Sequence, residues 1–140
     1  MLDAVNRLRR ATIQIANQRL APWQMTLAGY TALRVMANRP DLSLAQLSRR
    51  CFVKPQTMTR IVTRLEERGL IDRLPNPDSE RAMSLRVTEA GQTLVSELDP
   101  VVNRIGTTIA RVMTEQQVAA IDSALRDLAV LVEAEMKEQA

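Results

Sequence analysis

Between Lys54 and Gly69 the chain reads KPQTMTRIVTRLEERG, and the side chains able to recognise a partner recur there at helical spacing. On a helix of about 3.6 residues per turn, Met58, Ile61, Val62 and Leu65 share one face and must be core. Gln56, Arg60, Thr63 and Glu67 then share the opposite face, flanked by Thr59 and Arg64, with Thr57 beside Gln56. An Arg fork matches guanine O6 and N7, a Gln amide matches adenine N6 and N7, and a Thr hydroxyl serves either. This is hydrogen-bonding chemistry suited to base edges in a major groove. A solvated amphipathic helix shows the same pattern, and a lone helix would favour that plainer reading; here the neighbouring elements decide.

Covalent chemistry has far less to work with. The 140 residues include no His and a single Cys, so the usual zinc and haem ligand sets, Ser-His and Cys-His pairs and an internal disulfide are all absent. There is no Gly-rich phosphate loop and no carboxylate cluster at metal-ligand spacing. No enzymatic activity, cofactor or metal is expected. Cys51 has Arg49 and Arg50 as neighbours, which would favour a thiolate, but Leu44, Leu47 and Cys51 fall on one helical face and point the sulfur at the core.

Charge is distributed unevenly. Residues 34–86 hold eleven Arg or Lys against six acids, while residues from 115 onward hold six acids against Arg126 and Lys137. One region can face a polyanion and another faces away from it. The balance of 46% hydrophobic and 25% charged residues is that of one globular domain. No apolar run is long enough to cross a membrane, and the first twenty residues lack a secretory core, so a cytoplasmic location is expected. Three aromatic residues in all give little platform for stacking single-stranded bases.

The elements that must position the reading face follow from local signals. Val5, Leu8, weakly Thr12, and Ile15 keep the rhythm of a helix docking along a seam, broken by Ala21-Pro22-Trp23. Thr26 caps a second helix that sends Leu27, Tyr30, Leu33, Val35 and Met36 toward a core. Ser43-Leu44-Ala45-Gln46 is a capping box opening a short third helix to about Cys51. Pro55 opens the fourth helix, which ends near Arg68 with Gly69 as a left-handed stop. Leu70–Leu74 and Met83–Val87 read as strands around the turn formers Pro75–Ser79, which makes a hairpin following a helix-turn-helix. Thr88 caps a long fifth helix carrying Pro100, which is expected to kink it. Thr114-Glu115-Gln116-Gln117 opens a last helix whose Val118, Ile121, Leu125, Leu128 and Val132 alternate spacings of three and four.

The stretch LAQLSRRCFVKPQTMTRIVTRLEERGLIDRL, then PNPDSERAMSLRVTEAG, with its Leu-Glu-x-x-Gly-Leu junction and Thr-x-x-Gly helix opening, resembles the MarR family of bacterial winged-helix transcription regulators over almost the whole chain. The resemblance implies a mainly α fold: a winged helix-turn-helix with N- and C-terminal helices forming a dimerisation region. It implies one MarR-like domain over 1–140, with a DNA-binding lobe at 26–88 and dimerisation helices at 1–20 and 89–140. It further implies a homodimer on pseudo-palindromic duplex DNA, repressing until a small aromatic or anionic effector binds. The duplex-contacting set is then Ser43, Lys54, Gln56, Thr57, Thr59, Arg60, Thr63, Arg64, Arg73, Ser79 and Arg81, with Arg81 of the wing in a minor groove. Asn17, Trp23 and Tyr30 fall near the region where related regulators bind effectors, although core packing is the favoured reading of Trp23 and Tyr30. Val5, Leu8, Ile15, Val118, Ile121, Leu125, Leu128 and Val132 form the expected dimer stripes.

Three residues depart from the family pattern. The wing tip reads Ser79-Glu80-Arg81 with Asp78 one place early, where Asp-x-Arg is common, and Asp78 or Glu80 is expected to hold Arg81 in line. Lys54 replaces a capping Ser or Thr. Phe52 stands where a Gly is common, and its ring is expected to pack against the wing or second helix, exposure being the alternative. The rival to the DNA reading is a winged helix used as a protein-interaction module, its basic face docking an acidic partner.

Overall fold

The computed structural model describes residues 1–76 and 78–138, with the side chains of residues 79–82 outside that description. The fold is mainly α, in the order α1 (Leu2–Leu20), a 3-10 turn (Ala21–Trp23), α2 (Leu27–Asn38), α3 (Leu44–Arg50), α4 (Pro55–Glu67), β1 (Ile71–Asn76), β2 (Ser79–Val87), α5 (Glu89–Ala110) and α6 (Glu115–Glu138). It divides into two compact units, Met1–Asn103 and Arg104–Ala140. Among the described residues no helix is long and apolar enough to cross a membrane.

Helix boundaries in the first unit sit where side-chain caps satisfy free backbone groups. The Gly29 N–H donates to Thr26 Oγ1 at 3.1 Å, opening α2. Ser43 and Gln46 form the reciprocal capping box of α3, at 3.2 and 2.9 Å. Gly69, at φ 69°, ends α4. Its N–H donates to the Glu66 carbonyl at 2.9 Å and that of Leu70 to the Leu65 carbonyl at 3.0 Å, the paired bonds of a Schellman stop.

The core of this unit gathers Leu20, Leu33, Met36, Leu47, Met58, Val62, Ile71, Leu85 and Leu98, all essentially inaccessible to water. Met58, Val62 and Leu65 are the buried face of α4, as the helical spacing requires, with Ile61 half-buried. β1 and β2 pair antiparallel, Ile71 opposite Val87 and Leu74 opposite Ser84. Leu42 adds an isolated bridge to Leu85, whose N–H donates to the Leu42 carbonyl at 2.9 Å, so the segment before α3 is tied to the base of the hairpin. The strands run further than the turn formers suggest. Pro75 still pairs with Met83, the register shifts, and Asn76 pairs with Ser79 while its Oδ1 accepts the Asp78 N–H at 2.9 Å. Among the described residues no further strand pairs with the outer edge of β1, the strand that carries Pro75, and an edge strand is where proline is tolerated.

Gly91 is the most closely approached of the glycines. A Cβ there would lie 2.2 Å from the Leu70 carbonyl oxygen, so the first turn of α5 can sit against the end of the α4–β1 junction only without a side chain. Thr88 fastens the same place: its hydroxyl donates to the Gly69 carbonyl at 2.7 Å and accepts the Gly91 N–H at 3.1 Å. The Thr-x-x-Gly motif is therefore a joint between the wing and α5.

The second unit holds the end of α5 and all of α6. Thr114 and Gln117 form the expected capping box, at 3.2 and 2.9 Å. α6 buries no residue, and Val118, Ile121, Leu125, Leu128 and Val132 are all exposed in the single chain.

Candidate nucleic-acid interface

The helix-turn-helix is α3, a four-residue turn and α4. Cys51, which is half-buried, closes α3 through its N–H to the Leu47 carbonyl, and burial pushes its thiol pKa up. A thiol held protonated is a poor redox sensor, in line with its position on the core-facing side. Phe52 adopts φ 53°, the left-handed region, and stands 70% exposed. The ring is therefore not packed against the wing or second helix as expected, because the left-handed turn carries it out to solvent. A reversal through a left-handed residue is where glycine is favoured, which accounts for the family preference at this position.

α4 opens at Lys54, which makes no side-chain cap, with Pro55 in the first turn. Gln56, Thr57, Thr59, Arg60 and Arg64 are exposed, and Thr63 is half-buried. The Thr59 hydroxyl donates back to the Pro55 carbonyl at 2.9 Å, leaving its oxygen lone pairs and methyl outward. Ser43 is half-buried, its Oγ engaged in the α3 cap.

Side-chain partners sort the ten cations of residues 34–86 whose side chains are described. Arg34 pairs with Asp99 at 3.4 Å, Arg73 with Glu66 at 3.0 Å and Arg86 with Asp41 at 2.9 Å. Arg68 donates to the carbonyls of Gln24 and Trp23 at 2.9 and 2.8 Å, closing the 3-10 turn against the end of α4. Arg39, Arg49, Arg50, Lys54, Arg60 and Arg64 are exposed and form no ion pair among the described residues. From Leu42 to Leu65 the chain contains no Asp or Glu at all. The turn before α4 and its first three turns thus carry exposed cations with no acid among them in sequence, which suits a phosphate backbone, while Glu66 and Glu67 lie at the C-terminal end of the helix.

Arg73, expected at the duplex, ties β1 to α4 in this structure. Its Nε donates to Glu66 Oε2, and Nη2 reaches Thr63 Oγ1 at 3.4 Å. Alternation along a strand puts Arg73 on the face that meets α4, where an acid is waiting. The side chains of Ser79, Glu80 and Arg81 lie outside the described residues.

The three residues singled out near an effector region have internal roles. Asn17 Oδ1 accepts the Leu27 N–H at 2.8 Å and so helps cap α2 from α1. Trp23 is half-buried against the core. Tyr30 is buried, and its hydroxyl donates to Asp99 Oδ1 at 2.5 Å. Burial, then the hydrogen bond and negative charge of Asp99, push the phenol pKa up to about 12. Arg34 beside the same carboxylate pulls the other way. Sequence reasoning singled out neither Asp99 nor Arg68, because their partners are 69 and about 44 residues away and leave no local signal. A separate groove of about 880 Å³ runs between the start of α2 and α4, lined among others by Thr26, Gly29, Thr57, Arg60, Ile61 and Arg64.

A hairpin following a helix-turn-helix, with a cationic, partner-free face on the second helix, defines a winged-helix DNA-binding protein. Residues 23–82 match the model of the MarR family. The HTH-type transcriptional repressor Rv2887 of Mycobacterium tuberculosis is 31% identical over 99 residues, covering 70% of this chain and 71% of that protein. The repressor Mb2911 of Mycobacterium bovis matches to the same extent. Among solved structures, MarR from E. coli in its apo form superposes with a TM-score of 0.81 at 20% identity, covering 91% of this chain and 96% of that one. Rv2887 in complex with salicylic acid gives 0.73 at 26% identity, over 89% and 93%. A cysteine-to-serine mutant of E. coli MarR complexed with operator DNA gives 0.83 at 20% identity, over 90% and 91%. The chain belongs to the MarR family and is a DNA-binding transcriptional regulator.

Proposed function

We propose that this chain acts as a cytoplasmic repressor that binds a pseudo-palindromic operator as a homodimer and is released from it by a small aromatic or anionic molecule. The observation that carries the reading is the run Leu42–Leu65, in which Arg49, Arg50, Lys54, Arg60 and Arg64 meet no acid in sequence and no ion-pair partner among the described residues. Arg60 and Gln56 read base edges, Thr57, Thr59 and Thr63 supplement them, and Lys54, Arg64 and Ser43 meet phosphates. Arg81 and Ser79 extend the contact into a flanking minor groove, where the potential is most negative. Residues 1–140 work as one unit, with 26–88 on the DNA and 1–20 and 89–140 holding two copies together. A two-fold dimer sets two reading helices about 34 Å apart, one turn of duplex.

Rv2887 has been solved with salicylic acid, which supports an effector of that chemical kind for this relative. Asn17 Oδ1 and the Tyr30 hydroxyl are already engaged, which favours the groove between α2 and α4 as the receptor of the two regions. It shares Thr57, Arg60 and Arg64 with the reading face, so a molecule seated there competes with the duplex directly.

Selection of bound fragments from genomic DNA, followed by a search for a repeated inverted motif, tests the reading. The expected result is one motif whose affinity falls steeply and linearly in a log-log plot against salt, the mark of counterion release. Recovery of no motif, with binding to an acidic protein instead, would support the interaction-module alternative and overturn this one.

A further inference from the structure

We infer that Phe52 is a specificity-determining residue, its ring meeting the C5-methyl of a thymine within the half-site read by α4. This rests on the reading of the chain as a duplex-DNA regulator and deepens it. The chain has three aromatic side chains. Trp23 and Tyr30 pack into or against the core, whereas Phe52 stands 70% exposed on the turn between α3 and α4. It also holds φ 53°, a conformation that costs an aromatic residue energy and a glycine almost none. A glycine there would relieve the backbone and remove exposed apolar surface together. Two local costs at one position, with no packing gained inside the molecule, mark a residue held for what it meets outside.

Its surroundings select the partner. Arg49 and Arg50 precede it and Lys54 follows, all exposed, with no acid between Leu42 and Leu65. An apolar ring set among cations matches a duplex edge, where phosphates lie outside and the thymine methyl is the apolar group presented in the major groove. The four residues from Phe52 to Gln56 span at most about 14 Å of chain, so the thymine belongs to the half-site that Gln56 enters.

The test uses duplexes selected from random-sequence DNA by the intact wild-type protein, then resynthesised with deoxyuridine replacing each thymine in turn. Deoxyuridine keeps the pairing and removes only the methyl. At one thymine position the wild type is expected to lose about four-fold in affinity per half-site, and about fifteen-fold when both half-sites are changed, the worth of a buried methyl group. Phe52→Gly and Phe52→Asn, both of which tolerate the left-handed turn, are expected to bind the two duplexes equally while melting no lower than the wild type. If no thymine shows a methyl dependence that both variants abolish, or if they lose affinity equally for selected and random duplex, the role of Phe52 is overturned and the regulator reading stands. If the wild type selects no duplex at all, both fall.

Discussion

Arg60 and Arg73 are the same residue type thirteen positions apart, yet one is free and the other is clamped. Arg60 is exposed without an ion-pair partner among the described residues; Arg73 grips Glu66 and Thr63. Arg60→Ala is therefore expected to leave the fold intact and to cost about 1–3 kcal/mol on the preferred operator, with much less loss on random duplex. Arg73→Ala should instead lower the melting temperature by the worth of a half-exposed pair, about 1 kcal/mol at most, and leave base discrimination unchanged. Fluorescence anisotropy on the two duplexes with parallel melts separates them, and equal losses on both duplexes would reduce Arg60 to a phosphate contact. Tyr30 offers a second residue-scale test, because it is the one tyrosine in the chain. Its folded pKa of about 12 lies above the ordinary 10.0, so as pH rises the unfolded chain loses its proton first. The stabilisation is full below about pH 10 and drains away as pH climbs toward 12. Ultraviolet titration of tyrosinate should give a single late transition that Asp99→Asn moves earlier; an ordinary transition in the wild type would contradict the buried hydrogen bond.

At the scale of elements, the start of α4 and the start of α5 solve opposite problems. Lys54 leaves α4 without a side-chain cap but adds a charge beside the reading face. Lys54→Ser is expected to stabilise the protein by about 1 kcal/mol, near 3 °C in melting temperature, while flattening the log affinity against log salt slope by about one unit per half-site. Stability and binding moving together would mean that Lys54 is not at the phosphates. α5 is anchored instead by Thr88 and the absence of a side chain at Gly91. Gly91→Ala drives a methyl into the Leu70 carbonyl, and either the α4–β1 junction or α5 must shift. A loss of at least about 2 kcal/mol in denaturant unfolding is expected, more than an alanine in a helix would ordinarily cost. A neutral substitution would show that the joint has slack.

At the scale of the whole molecule, the stripe Val118, Ile121, Leu125, Leu128 and Val132 is expected to meet a partner copy, since five apolar residues at core spacing left 37–55% exposed in the single chain suit an association surface. Val5 and Leu8 of α1 are likewise exposed, and Ile15 is half-buried. Sedimentation of the intact chain at micromolar concentration is expected to show a dimer, and Leu125→Asp with Leu128→Asp to shift it to a monomer of weaker operator affinity. Because both leucines are exposed in the single chain, the double variant should remain folded as a monomer, so the oligomeric change is read cleanly. A wild-type monomer at that concentration would remove the two-fold geometry and the half-site spacing built on it.

Local chemistry determined much of this protein from sequence alone. Thr26, Ser43 with Gln46, Gly69, Thr88, and Thr114 with Gln117 fix the helix ends, because caps and left-handed stops act over three or four residues. The period of Met58, Val62 and Leu65 fixed which face of α4 is buried, and so which face is free to read. What tertiary structure alone decided was the fate of individual polar groups: Arg73 and Arg86 committed to acids, Arg68 to carbonyls, Asn17 to a helix start, Tyr30 to Asp99. It also decided the exposure of Phe52 and the necessity of Gly91. A cap is written in neighbouring residues, whereas a hydrogen bond between groups 69 positions apart forms only after the core has brought α2 and α5 together, and periodicity carries no record of it.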